Sequence, residues 1–128
     1  MHKFYRAMLA VVLLSSSVTA LAQSLEDDMD ILKGAYRTVQ KTEDATELKK
    51  ALTDMRAAAE NAKTQTPDSL EGKAADSAEM KDYRAGLDTL IGQIDASKQL
   101  ADAGDIAGAK AEAKKFADTR DANHKKFR

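Results

Sequence analysis

From residue 25 onward the apolar side chains recur in steps of three and four, the spacing that draws a stripe down one face of an α-helix. Leu25, Met29, Leu32, Tyr36 and Val39 make the first stripe. A second runs through Leu48, Ala51, Leu52, Met55, Ala58, Ala59 and Ala62. Met80, Tyr83, Leu87, Leu90, Ile91, Ile94 and then Leu100 or Ala101 make a third. The fourth carries Ile106, Ala109, Ala113, Phe116, Arg120, His124 and Phe127. Nothing alternates with the period of two that a half-buried strand requires. Helices apolar on one side must bury those sides against each other, so the sequence predicts an all-α fold.

Breaks between the stripes set the topology. Ser24 is an N-cap candidate, and Glu26, Asp27 and Asp28 suit the positive start of a helix. "QKTED" interrupts the pattern between the first two helices. "TQTPDSLEGKAADS" holds the only proline, Pro67, together with Gly72, and reads as a loop. Ser77 or Asp76 caps the third helix; Gly104 stops it and Asp105 starts the fourth. Short connections make helices 1 and 2, and 3 and 4, antiparallel neighbours, and the proline loop still lets helices 2 and 3 run antiparallel. The expected architecture is an antiparallel up-down-up-down four-helix bundle. The first turns of helices 1 and 3, the proline loop and the end of helix 4 then share one end.

Residues 1–22 stand apart from this pattern. "MHKFYR" is cationic, "AMLAVVLL" is too short to span a bilayer, and Ala20-Leu21-Ala22 is a small-x-small cleavage site. The expectation is a secretory signal peptide over 1–22, removed after Ala22, and one domain over 23–128. That 106-residue remainder holds all 21 acids and 18 of the 20 Lys and Arg residues, for a formal net charge of −3. Interspersed charges argue against a nucleic-acid groove or a basic membrane patch. With no second apolar run of membrane length, no membrane insertion is expected. An exported chain without cysteine has no disulfides, no thiolate metal site and no CxxCH attachment of a c-type haem. No serine–histidine–acid order or carboxylate pair stands out either, and an enzyme is not expected.

His124 is the sole histidine beyond residue 22. One reading is electrostatic: His124, Lys125, Lys126 and Arg128 complement the negative end of a helix. The other begins with Met29, five residues past its cap on the first stripe. At about 1.5 Å rise per residue, Met29 and His124 lie at similar depth from the same bundle end. Met80 and Tyr83 point into this region, and Pro67 and Leu70 can close it. A thioether and an imidazole across an apolar cavity suit haem, one axial ligand from each face. Without cysteine that haem would be non-covalent, b-type. Methionine on a stripe is ordinarily core filler, the reading for Met55 and Met80. Spacing alone keeps both readings open for Met29.

Four stretches narrow the choice: "LEDDM", "ALTDMRAAA", "AEMKDYRAGLDTLIGQID" and "TRDANHKKFR". Over its whole length from Gln23 to Arg128 the chain resembles the soluble periplasmic cytochrome b562 family, itself an example of the up-down-up-down bundle. The resemblance implies one non-covalent haem b, with the methionine of "LEDxM" and the histidine of "HxKxR" as iron ligands. These fall on Met29 and His124. Leu25, Leu32, Pro67, Tyr83 and Leu87 would line the site, and Arg120 and Arg128 would offset propionate charge. Tyr83 and Leu87 stand where the best-known member has phenylalanines. In a helix, Nδ1–H of His124 can reach the Arg120 carbonyl and leave Nε2 for iron.

With both axial positions filled by protein, a one-electron carrier is expected rather than an oxygen-handling enzyme. It would be a periplasmic monomer serving a redox protein partner. Two other classes compete. A cofactor-free periplasmic helical-bundle chaperone or stress adaptor predicts an exposed apolar patch. A copper(I) protein would need more soft ligands clustered than this sequence offers.

Overall fold

Helices begin here where the sequence supplies an oxygen for the first unpaired amides. The computed structural model describes residues 23–127, so the expected signal peptide over 1–22 and Arg128 lie outside the described residues. Helix α1 covers Leu25–Lys41 and opens on a capping box. Ser24 Oγ accepts from the Asp27 amide at 3.1 Å, and the Asp27 carboxylate accepts from the Ser24 amide at 3.2 Å. Helix α2, Ala45–Ala62, is capped by Asp44, whose carboxylate accepts from the Thr46 amide. Ser77, rather than Asp76, caps α3 over Ala78–Asp102. Gly104, at φ +87°, turns the chain out of α3, and Asp105 accepts from the Gly108 amide at 2.8 Å to start α4, Ile106–Phe127. The proline loop contains a single 3₁₀ turn, Asp68–Leu70. The described residues contain no strand.

Cross-helix pairs give the direction of each helix. Asn61, at the end of α2, reaches Asp28 at the start of α1. Lys63 meets Asp88 just after α2 ends, Arg56 meets Asp95, and Lys49 near its start meets Asp102 at the end of α3. Lys126 at the end of α4 meets Asp82 at the start of α3, and Thr119 meets Gln93 farther along. Lys110, near the start of α4, donates to the Thr42 carbonyl just past α1. Every neighbouring pair is antiparallel, and the molecule is an up-down-up-down four-helix bundle.

The core sits chiefly between α2, α3 and the first half of α4. All seven residues of the α2 stripe are buried. In α3 the stripe turns inward at Ala101, with Leu100 half-buried, and Ser97 is fully buried. Its hydroxyl donates to the Ala109 carbonyl at 2.7 Å, which satisfies it and binds α3 to α4. Helix α1 departs from its stripe: its buried residues are Asp28 and Val39, while Leu25, Leu32 and Tyr36 are half-buried and Met29 is 42% exposed. The cause is a gap. Helix α1 packs closely on α2 but only sparsely on α4, so most of its apolar face is packed against the core on one side and borders a cavity on the other.

Candidate functional site

The seam between α1 and α4 opens into a cavity of about 490 Å³. That is within the ~300–1,000 Å³ span of cofactor and ligand pockets. Aromatic contacts bracket it. Toward the middle of the bundle, Tyr36 of α1 meets Phe116 of α4 with ring centroids 6.0 Å apart. At the outer end Phe127 packs edge-on against Tyr83 at 5.6 Å, an arrangement favoured by ring quadrupoles. The Ser69 hydroxyl donates to the Phe127 carbonyl, tying the last turn of α4 to the proline loop.

One wall comes from α1: Leu25, Met29, Leu32, Lys33 and Tyr36. The facing wall comes from α4: Phe116, Arg120, Asn123, His124 and Phe127. Tyr83, Leu87 and Leu90 of α3 close the back, with Met55 of α2 and buried Pro67. The structure thus brings Leu25, Met29, Leu32, Pro67, Tyr83, Leu87, Arg120 and His124 to one cavity. Arg128, the remaining candidate, lies outside the described residues. Leu70 and Met80 do not join them: both are buried in the core. Met55 belongs to both, 2% exposed and on the cavity floor.

Met29 and His124 are exposed where they border the cavity, not sunk in the core. The thioether stands on the α1 wall and the imidazole on the α4 wall. Among the described residues His124 has no side-chain hydrogen bond, so the expected Nδ1–H bond to the Arg120 carbonyl is not formed. The Arg120 side chain is exposed and also borders the cavity. Its Nε meets Asp121 at 3.1 Å, and its guanidinium carbon lies 5.9 Å from the centre of the Tyr36 ring.

Buried Tyr83 needs a partner for its hydroxyl, and the structure supplies one: it donates to the Ala62 carbonyl at 2.7 Å. Burial, and next the negative charge of Asp28, push the phenol up to about 12.

Several lining residues were absent from the sequence-based site. Tyr36, Phe116 and Phe127 carried a usable signal, since each continues the stripe that bears Met29 or His124. Lys33 and Asn123 carried none. Asn123 reaches the wall through a notch at Gly86, where an added Cβ would come within 2.6 Å of the Asn123 side-chain amide carbon.

The chain is similar to known proteins. The family model for cytochrome b562 matches residues 24–128. A probable soluble cytochrome b562 of Yersinia pestis is 42% identical over the full length of both chains. A second from that organism is 42% identical over 91% of each. An uncharacterised Pasteurella multocida protein is 28% identical along the whole of both. Bundle, cavity and sequence likeness span the same residues, and the chain belongs to the cytochrome b562 family.

Proposed function

We propose that this protein is a periplasmic one-electron carrier that binds a single non-covalent haem b, whose iron Met29 and His124 would hold. The observation that carries the reading is that a thioether and an imidazole, from α1 and α4, border the same largely apolar cavity. The donor set fits haem iron: Met/His ligation is typical of electron-transfer sites and raises the potential above that of two imidazoles. Cavity volume and aromatic lining fit a flat apolar ring, and no thiol is present to attach it. Bound haem would supply a ferric/ferrous couple, the electron-carrying chemistry.

The chain's own residues do the rest. Leu25, Leu32, Leu87 and Phe127 keep the walls apolar and limit water. Tyr83, held by Ala62, presents its ring edge-on to Phe127 without leaving a polar atom unpaired. Lys33 and Arg120 put positive charge on the wall, suited to carboxylates of the cofactor. If Met29 and His124 both hold the iron, no position would remain for substrate or oxygen, which favours a carrier over an enzyme. The exposure of Met29 and His124 supports a site near the surface, from which an electron could pass at short range to a redox partner. Among the described residues no helix is long and apolar enough to cross a membrane. A signal peptide over 1–22 and export to the periplasm complete the proposal.

The test is a set of optical spectra on haem-reconstituted protein. Wild type is expected to bind one haem and give a sharp low-spin ferrous form, and acidic organic solvent is expected to extract that haem intact. Met29→Leu should give a five-coordinate ferrous form that binds carbon monoxide, and His124→Gln should abolish low-spin coordination. Met55→Leu and Met80→Leu should remain low-spin. If Met55 or Met80 controls the spin state instead, the assignment to Met29 is wrong.

A further inference from the structure

Helix α1 has two buried residues among its seventeen, Asp28 and Val39. They stand eleven positions apart, about 16 Å along the axis. Between them the helix face borders the cavity, and packing on α4 is sparse. At the cavity end, therefore, α1 is steadied from the α2 side and hardly at all from α4, with Leu25 and Leu32 only half-buried against the core.

Asp28 shares that work by other means. It is completely buried, and the described residues give it no cationic partner. One carboxylate oxygen accepts from Asn61 Nδ2 at 2.8 Å, the other from Gln23 Nε2 at 2.8 Å. Asn61 sits in the last turn of α2 and also donates to the Gln23 carbonyl at 3.3 Å. Gln65 adds a longer bond to the same carbonyl. Burying a carboxylate is costly unless it is hydrogen-bonded, and such a group is weak evidence for stability. Its well-attested use is to fix register, because both partners lose if either helix slips.

Met29 follows Asp28 directly. Successive helical residues are turned by about 100°, so a helix whose Asp28 faces α2 must swing Met29 toward the seam. We propose that Asp28, clasped by Asn61, is the positioning residue for Met29: the pair fixes the rotation and height of α1's first turns, and with them the place of the thioether on the cavity wall. The role rests on Met29 being an iron ligand. The same α2 terminus holds Tyr83 through Ala62, so the α1 wall and the back of the cavity take their reference from one turn.

The experiment compares Asp28→Ala, Asn61→Ala and the reciprocal swap Asp28→Asn with Asn61→Asp, in the haem-reconstituted chain and in apoprotein. Each alanine variant should keep haem on His124 but lose the low-spin ferrous form and bind carbon monoxide. The swap, which restores an amide–carboxylate pair, should recover the wild-type spectrum. In apoprotein, backbone amides of the first turns of α1 should exchange roughly tenfold faster in the alanine variants, the loss of about one buried hydrogen bond. Low-spin spectra in both alanine variants overturn the proposal, as does a swap that fails to recover. If Asp28→Ala does not fold, Asn61→Ala and the swap decide. If Met29→Leu leaves the wild-type spectrum unchanged, the ligand reading has failed instead. Exchange in apoprotein then judges the clasp alone, and unaltered α1 protection overturns it.

Discussion

The Tyr83 hydroxyl donates to the Ala62 carbonyl at 2.7 Å, so a side chain of the cavity wall is fastened to the C-terminal turn of α2. That carbonyl also accepts from the Gln65 amide at 3.1 Å and is not orphaned if the phenol is removed. Tyr83→Phe should therefore cost only about 1 kcal/mol near neutral pH, read by urea unfolding of apoprotein. Its alkaline behaviour is more diagnostic. Burial, and next the Asp28 charge, raise the folded phenol from 10 to about 12. A raised pKa contributes stability that is fully present below pH 10 and is lost as pH rises through about 12. The advantage of wild type over Tyr83→Phe should shrink across that interval. An advantage that grows with pH would contradict the buried, neutral phenol.

Leu87 faces the cavity from α3 and is 7% exposed. Leu87→Trp would put a large ring into space that haem is proposed to occupy. Apoprotein should gain roughly 0.5–2 kcal/mol, as cavity-filling changes commonly do. Haem affinity should fall by an order of magnitude or more, measured by titration at a fixed protein concentration. Unchanged haem binding would place the cofactor elsewhere.

Leu48 is completely buried near the start of α2, at the bundle end away from Met29 and His124. Leu48→Ala should destabilise the protein by about 2–5 kcal/mol through lost burial and a residual void. The haem-loaded spectrum should stay low-spin, because the turns that carry Met29 and His124 lie at the other end. Loss of the low-spin form at temperatures where the variant is still folded would show that the two ends are not separable.

How far the sequence foretells this molecule differs from helix to helix. In α2 every stripe residue is buried, because a helix with neighbours on its apolar side expresses its periodicity directly. Helix α1 has an equally regular stripe, yet all of it but buried Val39 borders a cavity and stays half-exposed. Periodicity reports which side faces inward and is blind to whether protein or empty space lies there. Asp28 shows the opposite failure. As one of three acids in a first turn it reads as a solvated complement to the helix dipole. Its burial depends on Asn61, 33 positions away, and nothing local to "LEDDM" signals that partner. Met29 and His124 stand out as candidates through family likeness more than spacing, since a methionine on a stripe is ordinarily filler.

The sparse α1–α4 seam leads to a prediction about local stability. Amides exchange through the cheapest opening available, and segments with few buried contacts open below the cost of global unfolding. In apoprotein the first half of α1 and the second half of α4 border the cavity and hold few buried side chains. Their amides should exchange faster than those of α2 and α3, which share the core. A ligand bound only by the folded state stabilises the whole chain, by about 2.7 kcal/mol at a hundredfold excess over Kd. Haem bridging Met29 and His124 would do more than that at the seam, because the cheap opening would now have to break a ligand bond. Loading should close the gap between the two sets of amides, not merely shift both together. Met29→Leu and His124→Gln should each leave the gap partly open, even where haem stays bound. Exchange followed by mass spectrometry, with and without haem, reads this directly. Equal slowing in all four helices would mean that haem does not bridge α1 and α4.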